Sequence, residues 1–87
     1  MSNFDDFLNK QNWIFAKTMS EIPHYYIVRD NLLSEEKAIF DDLKKDLKEK
    51  GYFEEFQGKN YQYLNIGEYK YWVIDNILNR IKVENKK

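Results

Sequence analysis

The chain has 87 residues, a formal net charge of −1 and no cysteine. The lack of cysteine excludes disulfides, thiolate metal sites and a cysteine nucleophile, and the near-neutral charge disfavours nucleic-acid binding that depends on many lysine and arginine contacts. The acidic start and the lack of a long apolar run predict a cytoplasmic protein that does not cross a membrane. The length predicts a single domain over residues 1–87.

The N-terminal half predicts a short helix followed by extended structure. Phe4, Phe7 and Leu8 recur at helical spacing, so residues 1–11 are expected to form an N-terminal helix. Residues 13–17 have high strand propensity, end in the charged Lys17 and predict a buried strand. Residues 24–29 leave two alternatives open, a second short extended piece or a turn into the next helix.

Residues 34–50 predict the main helix. Ser34 is a candidate cap, two glutamates follow it in the first turn, and four lysines crowd the last turns, as the helix dipole favours. Gly51 then provides a residue that can adopt positive φ at the helix end. The apolar stripe of this helix consists of Ile39, Phe40, Leu43 and Leu47.

Beyond Gly51 the hydrophobic period becomes two. Residues 53–56 predict a short strand, and residues 61–74 predict a β-hairpin that reverses at Gly67. Residues 77–83 fit either a helix or a strand, and the strand is favoured, with Asp75 and Asn76 as a two-residue turn. Residues 84–87 are expected to form a disordered tail.

The expected fold class is therefore α+β. A small antiparallel sheet of three to five strands would carry the helix at about residues 34–50 on one face, beside the short N-terminal helix.

Polar residues near strand ends form the first candidate site. Lys17 and Thr18 end the first strand, and His24 and Arg29 follow, so that together they offer cations, a hydroxyl and an imidazole to a phosphate or carboxylate. Asn79 and Arg80 join this group if the first and last strands are neighbours. The alternative is structural: His24 bonds a loop carbonyl, and each arginine pairs with a nearby acid.

The hairpin supplies a second candidate surface. Its candidate aromatic contacts are Tyr61, Tyr63, Tyr69 and Trp72, which could stack on bases or anchor a partner protein. Cross-strand packing of aromatic pairs is the alternative explanation. No metal site and no cofactor are expected, because His24 is the single histidine and no Gly-rich phosphate loop is present.

Six segments follow one another along the chain: Trp13-Ile14-Phe15-Ala16-Lys17-Thr18-Met19, Ile22-Pro23-His24-x-Tyr26-x-Val28-Arg29, Gly51-Tyr52, Gly58-x-x-Tyr61-x-Tyr63-Leu64, Tyr69-x-Tyr71-Trp72 and Asn79-Arg80. In this order they resemble a small domain of bacterial and phage proteins. That domain occurs alone or joined to S-adenosylmethionine-dependent methyltransferase domains. The resemblance covers about residues 12–81 and implies an organisation, not an activity; Lys17, Thr18, His24, Arg29, Asn79 and Arg80 are polar positions of its pattern. The connection between Trp72 and Asn79 is shorter than in that pattern, which suits a tight turn.

Three functions follow as hypotheses. The first is a non-enzymatic binding module for an anionic ligand, nucleotide-like or bearing a phosphate or carboxylate. The second is a small phage or mobile-element protein that binds and inhibits a host protein, such as a defence nuclease, through the tyrosine hairpin. The third is a small enzyme with His24 as general acid or base, which lacks a visible nucleophile.

Overall fold

A computed structural model describes residues 4–19, 22–56 and 58–83, with the side chains of all of these except residues 17–19 and 56. The predicted tail, residues 84–87, lies outside the described residues. This part of the chain forms helices α1 and α2, a 3-10 turn and six strands. Their bounds are α1 Phe4–Lys10, β1 Ile14–Met19, β2 Ile22–Val28, the 3-10 turn Arg29–Asn31, α2 Ser34–Lys50, β3 Tyr52–Phe56, β4 Lys59–Ile66, β5 Tyr69–Ile74 and β6 Ile77–Lys82.

The strands form one antiparallel sheet in the order β1-β2-β6-β5-β4-β3. The predicted three to five strands were therefore wrong, since the described residues form six. The reason lies in the topology: β6 pairs on one side with β5, its neighbour in sequence, and on the other with β2, which is distant in sequence and is held extended from His24 to Val28 by this pairing. A local pattern cannot show such pairing. The strand prediction for residues 77–83 is confirmed by β6, and the segment before Arg29 is the full strand β2.

Helix α2 begins at Ser34 and its N-cap residue is Leu33, so the expected capping role of Ser34 was wrong. The side chain of Glu36 accepts a hydrogen bond from the Leu33 N–H at 3.2 Å, which satisfies a donor at the helix start. At the other end Gly51 has φ −69°, so the expected positive φ was wrong. Glycine is required there by space, because a Cβ at this position would clash with the Leu47 carbonyl oxygen.

Both helices lie on the same side of the sheet, and the core fills the space between them. The predicted stripe of α2 contributes Phe40, Leu43 and Leu47, all of which are buried. The complete set of buried apolar residues is Phe7, Leu8, Ile27, Phe40, Leu43, Leu47, Tyr71 and Leu78. Among the helices of the described residues, none combines the length and the apolar character that a bilayer crossing requires.

Candidate functional site

The side of the sheet away from the helices is uncovered, and we call it the open face; the other side is the helix face. Successive side chains of a strand alternate between faces, so the buried Leu78 on the helix face places Asn79 on the open face. In the pairing register of the described residues, one residue of each of the other strands lies level with Asn79 on the same face. The resulting open-face row is Ile14, Tyr26, Asn79, Trp72, Tyr63 and Tyr52.

His24, Asn79 and Trp72 form the centre of the open face. The Asn79 Nδ2 donates to the Ile77 carbonyl at 3.3 Å, which turns the amide oxygen Oδ1 toward the His24 Nε2 at 2.9 Å. This orientation assigns the proton of His24 to Nε2, which donates to Asn79. The imidazole also stacks on the Trp72 ring, with centroids 5.3 Å apart and planes inclined by 29°. Asn79 is only 7% exposed beneath these rings.

The other nitrogen of the imidazole has a different environment. His24 Nδ1 is buried and has no hydrogen-bond partner in the described part of the chain. Because Nε2 already bonds Asn79, neither nitrogen is presented to a reacting group. The contacts of His24 therefore hold the centre of the open face in place.

Aromatic rings continue from this centre to the sheet edge. The Tyr63 and Tyr52 rings lie 5.8 Å apart at an inclination of 40°. The Lys70 Nζ lies 4.4 Å above the Tyr63 ring and bonds Glu54 at 2.7 Å. Lys70, the cation near the centre of the open face, is thus neutralised by Glu54 on the same face. The aromatic rings around it are uncharged.

Large apolar side chains of the open face are exposed. Tyr52 at the β3 edge is 64% exposed, and Ile14 at the β1 edge is 42% exposed. Ile74 and Ile77 pair across β5 and β6 on this face and are both exposed. Exposed apolar side chains on an uncovered sheet face are candidate contacts for another molecule.

Arg80 lies on the helix face, opposite to its neighbour Asn79. Its guanidinium carbon is 3.8 Å from the Tyr69 ring centroid, 4.2 Å from that of Trp13 and 5.8 Å from that of Tyr25. Nη1 donates to the Tyr71 Oη at 3.4 Å, and Nε is buried without a partner in the described residues. We call these four rings the Arg80 cage, in which cation–π attraction holds the charge.

Arg29 is placed at a third location, beside α2. Its Nε and Nη2 donate to the two carboxylate oxygens of Asp41 at 2.8 and 2.9 Å. This hydrogen bonding raises the pKa of Arg29 and lowers the pKa of Asp41. The planar fork of Arg29 is therefore occupied by a carboxylate of its own chain.

The sequence-predicted ligand residues thus divide between locations. The structure brings His24 and Asn79 together and places Arg29 and Arg80 elsewhere. The backbone of Lys17 lies opposite His24 in the β1–β2 register, and the side chains of Lys17 and Thr18 lie outside the described residues. Of the predicted aromatic contacts, Tyr61, Tyr63 and Trp72 lie on the open face, whereas Tyr69 belongs to the Arg80 cage.

A shallow cavity of about 240 Å³ adjoins the Arg80 cage. Its polar lining includes Asp5 and Glu68, and the rings of Tyr69 and Tyr71 form one wall. Because these carboxylates are negatively charged, the cavity does not favour the binding of an anion. In the described residues no group of three His, Asp or Glu side chains is arranged to hold a metal ion.

Sequence reasoning missed Tyr26, Tyr52 and the continuity of the open-face row. Tyr26 alternates with the core residue Ile27, and Tyr52 precedes a segment of period two, so their strand faces were open to prediction. Their alignment with Trp72 depends on the strand order, which carries no local signal. Comparisons with protein-family models, with curated proteins and with solved structures find no match to the chain.

Proposed function

We propose that this protein is a non-enzymatic binding module whose open face docks a partner protein. The observation that carries the proposal is the open-face row, in which aromatic rings cross the sheet from Tyr26 to Tyr52 without a covering helix among the described residues. Aromatic anchors with few charges at their centre are typical of protein interfaces.

The charges favour a protein partner over a nucleic acid or a small anion. Nucleic-acid surfaces combine stacking rings with unpaired cations along the path of the backbone. Here Lys70 is already bonded to Glu54, Arg29 to Asp41, and Arg80 is enclosed by rings on the other face. A partner surface that is apolar and weakly charged suits the open face best.

The size of the open face fits this role. Six strands at a spacing of about 4.8 Å, each about 20 Å long, cover roughly 580 Å² before the relief of side chains is counted. A standard interface buries about 800 Å² on each partner. The open face therefore reaches the order of area that a specific complex needs.

Site-specific photocrosslinking in the cells that express the protein tests the proposal. A benzophenone amino acid is placed at Tyr52, which is 64% exposed, or at Leu33, which is also 64% exposed but lies at the start of α2. We expect a discrete protein adduct from position 52 and none from position 33. Adducts of equal yield from both positions, or none from position 52, would refute open-face docking.

The partner identified in this way is then purified and its affinity measured. We expect Tyr52→Ala or Trp72→Ala to weaken binding by about 30-fold, as for an interface hot spot. Tyr52→Ala is the decisive variant, because Tyr52 is at the sheet edge and its loss leaves the core intact. Leu33→Ala is the matched control and should bind like the parent protein.

A further inference from the structure

The two edges of the sheet differ in how they are protected. At the β1 edge the register shifts between Phe15 and Lys17, and such a bulge disrupts pairing with a further strand. At the β3 edge five consecutive residues pair with β4 without a shift. The outer side of β3 is therefore a straight row of backbone donors and acceptors, with no further strand beside it in the described residues.

Side chains at the β3 edge are exposed on both faces of the sheet. Tyr52 on the open face is 64% exposed and Phe53 on the helix face is 74% exposed. Glu54 and Glu55 follow on alternate faces and are also exposed. An added strand would thus cover apolar rings at one end of β3 and meet carboxylates at the other.

The charge of this edge selects what can pair with it. The Glu54 carboxylate bonds Lys70 on the open face at 2.7 Å, so the uncompensated charge of this edge is that of Glu55 on the helix face. Glu55 forms no ion pair or hydrogen bond within the described residues. A strand with a basic side chain opposite Glu55 would supply an opposite-charge pair.

We propose that the β3 edge binds an extended, basic segment of another protein by strand addition. Backbone hydrogen bonds provide the affinity, and a pair between a lysine or arginine side chain of the segment and Glu55 provides the selectivity. The β3 edge shares Tyr52 and Glu54 with the open face, whereas Glu55 lies on the helix face and Trp72 lies away from the edge. Substitutions at Glu55 and Trp72 therefore distinguish this proposal from the proposed function.

The probe is a short capped peptide of alternating valine and lysine, compared with the same peptide carrying glutamate in place of lysine. NMR titration with amide hydrogen exchange reports which backbone groups the peptide protects. We expect the lysine peptide to protect amides within β3 and to bind about tenfold more tightly than the glutamate peptide. No protection of β3 amides by the lysine peptide would overturn the proposal.

A charge reversal separates edge pairing from general attraction. Glu55→Lys should invert the preference toward the glutamate peptide, whereas Glu49→Lys, an exposed site near the end of α2, should leave the preference unchanged. Trp72→Ala should also leave peptide binding unchanged. An inverted preference in Glu49→Lys, or none in Glu55→Lys, would show that strand pairing does not set the selectivity.

Discussion

Replacing Arg80 with alanine tests whether the Arg80 cage stabilises the fold. The guanidinium lies close to the Tyr69 and Trp13 rings, at 3.8 and 4.2 Å, and each such contact is worth about 1 kcal/mol when partly desolvated. The long hydrogen bond to Tyr71, at 3.4 Å, adds roughly 0.5 kcal/mol, whereas removing the unpartnered Nε returns about 1 kcal/mol. The loss of the guanidinium should therefore lower the free energy of unfolding by about 1.5 kcal/mol, and the loss of the packed stem in Arg80→Ala adds to this.

Urea denaturation and thermal melting measure this change. A loss of this size lowers the midpoint of a domain of this length by roughly 6–12 °C. Arg80→Met keeps the packing of the stem and removes both the charge and the unpartnered Nε, so its midpoint should lie between those of Arg80→Ala and the parent. Arg29→Ala, which removes an exposed ion pair, is the matched control and should cost less than Arg80→Ala.

A second measurement connects stability to binding. If Arg80→Ala melts like the parent protein, the reasoning about the cage is refuted and Arg80 becomes available for a ligand. A screen of mononucleotides and other phosphate compounds by thermal shift then decides the issue. A stabilisation that disappears in Arg80→Ala would favour an anionic ligand over the proposed protein partner.

Three further predictions concern the stability of the fold. Gly51→Ala should lower the free energy of unfolding, measured by urea titration, more than Gly58→Ala does. A Cβ at Gly51 would clash with backbone atoms, whereas a Cβ at Gly58 has open space around it. Gly58→Ala therefore costs only the roughly 1 kcal/mol of placing alanine at φ +81°. Asp75→Gly should raise the melting midpoint, since Asp75 has φ 56° at the first position of a two-residue turn. Burial raises the pKa of Tyr71. The stability contributed by its neutral phenol is therefore complete below about pH 10 and is lost as the pH rises through the pKa of the folded state. Urea midpoints measured across alkaline pH should show this loss in the parent protein and a smaller one in Tyr71→Phe.

Most of the individual helices and strands were predictable from local features of the sequence. Helix α2 follows from its acidic first turn, its lysine-rich last turns and its apolar stripe, and the hairpin follows from period two on both sides of Gly67. The short connection at Asp75 and Asn76 allowed only a tight turn, which made β6 a strand. The number of strands was not predictable in this way, because β2 and β6 are stabilised by pairing with each other across the length of the chain.

The separation of the predicted site residues has a simple cause. Once residues 77–83 are assigned to a strand, Asn79 and Arg80 must point to opposite faces, since side chains alternate. Asn79 then meets His24 and Trp72 on the open face, and Arg80 meets the tyrosines of the helix face. Adjacency in sequence is therefore evidence against a shared site when both residues belong to one strand.

The fold itself accounts for only part of the aromatic content of the open face. Trp72 covers Asn79 and stacks on His24, so its ring contributes to the sheet centre. Tyr52 has one neighbouring strand and is 64% exposed, and a threonine there would pair with Tyr63 at little cost. A large exposed ring at a sheet edge is better explained by a contact with another molecule. This difference makes Tyr52, rather than Trp72, the residue whose loss should remove binding while leaving stability almost unchanged.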